Sequence, residues 1–269
     1  MTDICITDWD DAYANAAHIQ GAEHYPDRWA ADAKAFRTDW TGKELDIVYG
    51  NKERLRLDLF YPEVTSKGLV VFVHGGYWLR FDKSYWSHFA HGALKHGWTV
   101  CLPSYELSPA ADIAEITKQI GVAIGVAGER VRGPIRLSGH SAGGHLVTRM
   151  LCADTPLVTS LVERLEKTVS ISGLHDLRPL RNTRMNEHFK LTETGATSES
   201  AALQKPISTC PVTAWVGAEE RPEFIRQSRL LAEAWANATV HIDPEKHHFD
   251  VIDGLLDANS DLTRTLVSG

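Results

Sequence analysis

Cysteine is scarce in this chain: there are four in 269 residues, Cys5, Cys101, Cys152 and Cys210, scattered and without a CxxC pair. Such spacing argues against a disulfide framework and fits free thiols in a reducing cytoplasm. Long hydrophobic runs are missing as well. The longest, such as 68–73, are strand-sized, whereas a membrane-spanning helix needs roughly 18 residues. A cationic, then apolar, leader is also lacking: Asp3, Asp8, Asp10 and Asp11 occupy the start, so an export signal is not expected. Positive charge is in deficit, with 28 Lys and Arg against 35 Asp and Glu and a net charge of -7. Phosphate backbones are bound by clustered cations, so a nucleic-acid partner is not expected, and neither is a membrane. No HExxH or similar spacing joins His88 to His91 or His247 to His248 as ligands, so no metal and no cofactor is expected. The outcome is a soluble, cytoplasmic chain acting on a small molecule. Its oligomeric state is left open, a homodimer included.

What is present is ordinary globular material, 43% hydrophobic and 23% charged. With no repeat and no Pro-rich linker, it reads as a single domain over 1–269. Residues 1–43 lack a clean period and form an N-terminal arm, with a turn at Tyr25-Pro26 entering a short helix. Segments 44–50 and 54–62 alternate with period 2 about Gly50-Asn51, which predicts an antiparallel hairpin. The pattern then changes. Continuous apolar runs at 68–73, 134–137, 168–171 and 211–216 predict strands buried on both faces. Helix-length segments at 84–96, 112–130, 142–153 and 222–238 lie between them, and Ile113, Ile116, Ile120, Ile124 and Ala127 recur at helical spacing as a packing stripe. Alternation of this kind predicts an α/β fold with a mostly parallel, doubly wound sheet whose ligands sit beyond the carboxyl ends of the strands. Residues 177–208 break the rhythm and read as an insertion over one edge of the sheet, placed to serve as a lid.

Three loops carry chemistry. The strand 135–137 runs into Gly139-His140-Ser141-Ala142-Gly143 and then into a helix, a GxSxG turn that exposes a serine hydroxyl at the start of a helix, where developing negative charge is favoured. Ser141 is therefore the candidate nucleophile, and His140 a packed or hydrogen-bonded side chain. The strand 69–73 ends in His74-Gly75-Gly76-Tyr77-Trp78, where glycines let main-chain N–H groups turn inward. Gly76, Tyr77 and Ala142 are the candidate oxyanion donors, and Tyr77 and Trp78 the candidate substrate contacts. With such a serine turn, an acid and then a histidine follow in chain order. Glu220, with Glu219 in reserve, follows the strand 211–216, and His248, with His247 in reserve, lies in the last strand-to-helix loop. A carboxylate that fixes the imidazole tautomer lets the ring take a serine proton and return it to a leaving group.

With these residues in place the chain resembles the α/β-hydrolase superfamily and, within it, the kynurenine formamidases (arylformamidases). The resemblance is carried by His74-Gly75-Gly76-Tyr77-Trp78, Gly139-His140-Ser141-Ala142-Gly143, Ser172-Gly173-Leu174-His175-Asp176-Leu177, Pro222-Glu223-Phe224 with Arg226-Gln227-Ser228, and His248-Phe249-Asp250. It implies a Ser141–His248–Glu220 triad and hydrolysis of N-formyl-L-kynurenine to formate and kynurenine in tryptophan breakdown. Where that family usually has Asp, this chain has Glu220, one methylene longer. Before the histidine, where an acid is expected, it has His247. The alternatives are a general carboxylesterase or thioesterase with the same triad, and a non-catalytic binding protein on the same scaffold.

Overall fold

The computed structural model describes residues 6–207 and 209–268; Cys5 and Asp3 lie outside them. Eight strands form one sheet: β1 (Lys43–Val48), β2 (Arg56–Phe60), β3 (Leu69–Val73), β4 (Thr99–Pro103), β5 (Ile135–His140), β6 (Leu165–Ile171), β7 (Val212–Gly217) and β8 (Ala238–Asp243). Their order is β1-β2-β4-β3-β5-β6-β7-β8. The expected hairpin forms, with β1 antiparallel to β2 and Val48 opposite Arg56, and β2 also runs against β4. All pairs from β4 onward in that order are parallel.

The helices are α1 (Trp9–Ala12), α2 (Tyr25–Asp39), α3 (His91–Lys95), α4 (Ile113–Arg130), α5 (Ala142–Arg149), α6 (Thr159–Val162), α7 (Asn186–Phe189), α8 (Glu193–Ser198), α9 (Pro222–Ala234) and α10 (Asp261–Val267). Among the described residues no helix is long and apolar enough to cross a membrane. Helix α4 begins where its cap predicts, with the Asp112 carboxylate accepting from the Glu115 N–H at 2.7 Å, and its isoleucine stripe is buried. The continuous helix expected over 84–96 is instead two 3₁₀ turns, Lys83–Tyr85 and Ser87–Ala90, followed by α3. Trp86 leaves helical geometry at φ -125° and inserts its ring beside Trp29, 4.8 Å between centroids. Strand β4 carried no sequence expectation: its five residues, Thr-Val-Cys-Leu-Pro, are short and of mixed propensity, yet all are buried between β2 and β3.

On β3 the side chains of Leu69, Val71 and Val73 enter the core on one face of the sheet and Val70 and Phe72 the core on the other, as a strand covered on both sides requires. The chain moves from β3 outward to β4, then returns across to β5. That reversal makes the carboxyl ends of β3 and β5 the switch point, with Val73 in register with Gly139. The segment 177–208 forms a 3₁₀ turn at Arg178–Asn182, then α7, α8 and a second 3₁₀ turn at Ala201–Leu203. Its Leu177, Leu180, Phe189 and Ala196 are buried, and it meets the arm through an Arg184–Asp10 ion pair at 3.0 Å.

Candidate active site

Ser141 sits between β5 and α5 at φ 56°, ψ -116°, a left-handed conformation that a side chain adopts only when its surroundings enforce it. The enforcement is backbone packing. A Cβ on Gly143 would lie 1.9 Å from the Val73 carbonyl oxygen, so only glycine lets the first turn of α5 approach β3 this closely. The Ser141 N–H donates to the Ile171 carbonyl at 2.8 Å, tying the turn to β6.

The loop after β3 closes on this turn from the other side: a Cβ on Gly75 would lie 3.1 Å from Ser141 Cβ. Gly76, Tyr77 and Trp78 all have positive φ, at 111°, 53° and 55°. Among the described residues the N–H groups of Gly76, Tyr77 and Ala142 have no acceptor, so all three remain available to an incoming anion. His74 does not face this chemistry. Its ring stacks on Tyr105 at 4.3 Å, and burial lowers its pKa to about 4, so it stays neutral.

Glu220 and His248 meet. His248 Nδ1 lies 2.6 Å from Glu220 Oε2, both side chains being almost fully enclosed. A carboxylate only accepts here, so Nδ1 carries the proton and Nε2 keeps its lone pair. Glu220 Oε1 accepts from the Gly217 N–H at 2.8 Å and from the Ser172 hydroxyl in a short bond. The extra methylene of glutamate is taken up by this cradle behind the imidazole. Glu219 is exposed, its N–H spent on the Lys246 carbonyl. His247 is elsewhere too, with Nε2 3.2 Å from the Tyr25 hydroxyl and Nδ1 3.0 Å from Asp250. His140, next to Ser141, donates from Nε2 to the His248 carbonyl at 2.8 Å, and the two rings are 4.7 Å apart. The serine turn and the histidine loop are thereby joined directly. Ser141 Oγ makes no hydrogen bond among the described residues.

Trp78 is corrected. Its indole is wholly enclosed, edge-on to His145 at 5.1 Å and to Phe189 at 5.6 Å, so it packs the core instead of lining a substrate surface. The Tyr77 hydroxyl is engaged by the arm: it donates to the Tyr13 carbonyl at 2.7 Å and accepts from Asn15 at 3.3 Å. Glu223 is buried and accepts from Tyr13, Arg226 and Gln227. Gln227 also accepts from the His175 and Asp176 N–H groups at 2.8 and 2.7 Å, fixing the loop after β6. Sequence reasoning gave no role to Ser172, Tyr13 or Gln227. Ser172 had a signal, a Ser-Gly pair at a strand exit now seen at φ 51°; Tyr13, in the arm, had none.

A fold of this topology, with a serine at positive φ between β5 and α5 and a carboxylate–imidazole pair beyond the ends of β7 and β8, is that of an α/β hydrolase. The model of the alpha/beta hydrolase family matches residues 70–264, and the chain belongs to that family. The chain is 29% identical over 237 residues to kynurenine formamidase of Danio rerio, covering 83% of this chain and 80% of that protein. It is 26% identical over 250 residues to kynurenine formamidase of Drosophila melanogaster, covering 85% and 82%. The crystal structure of a "putative thioesterase" from Silicibacter sp. TM1040 superposes with a TM-score of 0.94 at 50% identity, over 97% of this chain and 99% of that one. An esterase of Pyrobaculum calidifontis, at 15% identity and a TM-score of 0.68 over 90% and 88%, shares the fold. The protein is a hydrolase.

Proposed function

We propose that the protein hydrolyses the formyl amide of N-formyl-L-kynurenine, with Ser141 as nucleophile, His248 as acid and base, and Glu220 as the group that orients the imidazole. The observation carrying this reading is the 2.6 Å pair of His248 Nδ1 and Glu220 Oε2 on a loop bonded through His140 to the serine turn. In the first half-reaction Ser141 Oγ attacks the formyl carbon while His248 Nε2 takes its proton. The N–H groups of Gly76, Tyr77 and Ala142 hold the oxyanion. The carbon–nitrogen bond then breaks, and His248 returns the proton to the aromatic amine, which leaves as kynurenine. Water attacks the formyl ester by the same route, releasing formate and restoring Ser141. The choice of amide is supported by the two relatives named kynurenine formamidase.

The second reading, a thioesterase or carboxylesterase on the same triad, is favoured by the 50% identical structure named above. Labelling by a fluorophosphonate tests the shared machinery: wild type is labelled at Ser141 and Ser141→Ala is not, and a folded but unlabelled wild type refutes it. Rates on N-formylkynurenine, p-nitrophenyl acetate and short acyl thioesters then separate the readings. The formamidase reading expects kcat/KM on the formyl amide to exceed the others by more than about tenfold, roughly 1.4 kcal/mol, and a thioester preference of that size replaces it.

A further inference from the structure

Sequence alone makes residues 1–43 an appendage, yet the structure lays Tyr13 and Asn15 of this arm against both halves of the site. On one side the Tyr77 hydroxyl donates to the Tyr13 carbonyl at 2.7 Å and accepts from Asn15 Nδ2 at 3.3 Å. On the other, the Tyr13 hydroxyl donates to Glu223 Oε1 at 2.8 Å, and its ring stands edge-on to Phe224, the ring that packs on His248. Tyr77 and Trp78 are consecutive side-chain-bearing residues in the left-handed region, each costing roughly 1 kcal/mol or more, and such geometry persists only where something distant over-determines it. A tyrosine has a rigid ring and few torsions, so fixing its hydroxyl also fixes its backbone.

We propose that Tyr13 and Asn15 form a strut that positions the Tyr77 main chain: by gripping the Tyr77 hydroxyl they hold the strained turn whose N–H groups meet the oxyanion. This rests on the reading above, in which Gly76 and Tyr77 are oxyanion donors. Tyr77 then acts in two ways, through its N–H on the reacting oxygen and through its hydroxyl as the handle by which the arm sets that N–H. Displacement of such a group by about 1 Å can cost on the order of 100-fold in rate, so loss of the handle is felt at the transition state before it is felt in substrate binding.

The test is Tyr77→Phe in the full chain, which keeps the ring and removes the hydroxyl, assayed on p-nitrophenyl acetate and against a trifluoromethyl ketone, whose adduct carries the oxyanion. The expected result is a kcat lower by about 10- to 100-fold with KM within about twofold. The ketone inhibition constant should rise by the factor that kcat/KM falls, and the pH–rate profile should stay in place because the His248–Glu220 pair is untouched. Asn15→Ala, which removes the longer bond, should move kcat and ketone affinity the same way by about threefold, and it carries the test if Tyr77→Phe does not fold. Tyr77→Phe within twofold of wild type overturns the inference, as does a loss of rate with unchanged ketone affinity, or Asn15→Ala indistinguishable from wild type when it stands alone. Fluorophosphonate labelling of wild type keeps the failures apart: an unlabelled wild type removes the triad reading and this inference together, and a labelled one with an unaffected Tyr77→Phe removes only the inference.

Discussion

The carboxylate of Glu220 illustrates how much rides on a single atom's partners. One oxygen faces His248, and the other accepts from the Gly217 N–H and the Ser172 hydroxyl. Those two donors stop the side chain rotating away from the imidazole, so the longer glutamate serves where a shorter acid would sit closer. Ser172→Ala removes one donor to a charged group, a bond worth about 1.5–3 kcal/mol. We expect kcat to fall by about 10-fold or more with little change in KM, together with a slower second-order rate of fluorophosphonate labelling, both measured at constant pH. Rates equal to wild type would mean that Gly217 alone secures the acid. At this scale the sequence separated candidates only by position. Glu219 and Glu220 are adjacent, and so are His247 and His248; which of each pair turns inward depended on the exit of the chain from β7 and β8.

Among the elements, the junction of β3, β5 and α5 tolerates the least change. A methyl group on Gly143 would meet Val73 O at 1.9 Å and Val73 C at 2.6 Å, both backbone atoms of a central strand that has no room to yield. Gly143→Ala should therefore cost about 3 kcal/mol or more, seen in calorimetry as a melting temperature lower by roughly 6–12 °C. A shift under about 2 °C would show that α5 can slide outward. The neighbouring segment 83–90 makes the converse point. Its composition suits a helix, but a buried Trp86 packed on Trp29 and stacked parallel to His74 at 6.3 Å takes precedence over backbone periodicity.

For the whole molecule, burial of neutral imidazoles sets the acid limit of stability. His74 and His88 are held by burial to pKa values of about 4, and His145 and His175 to about 3. The unfolded chain binds these protons near pH 6.5 while the native state refuses them. Stability is thus fully present above pH 6.5 and declines as pH falls toward 4, by about 2 kcal/mol per histidine at pH 5. Asp253 acts in the opposite sense. Burial lifts its pKa to about 6 and also raises that of Asp58, so both weaken the fold as pH rises through the carboxylate range, but these two carboxyls do not offset four enclosed histidines. Thermal unfolding should show a melting temperature that drops steeply between pH 6.5 and 4.5, and a flat profile over that range would contradict the neutral burial of these rings.

Local signals determined a good deal on their own. Apolar runs marked four of the six strands from β3 to β8, namely β3, β5, β6 and β7, because a strand covered on both faces is built mostly of apolar residues. The turn at Ser141 and the glycines at 75 and 76 marked the candidate site, because each reflects a backbone constraint that only certain residues meet, and chain order then pointed to the candidate acid and histidine. Tertiary structure alone decided the rest: that Trp78 fills the core, that Ser172 cradles Glu220, that His140 bonds the histidine loop, and that Tyr13 reaches Tyr77 across 64 positions. The physical reason is range. Period, capping and glycine geometry act over a few residues and leave a trace in the order of amino acids, whereas a hydrogen bond between remote segments depends on the packing that brings them together.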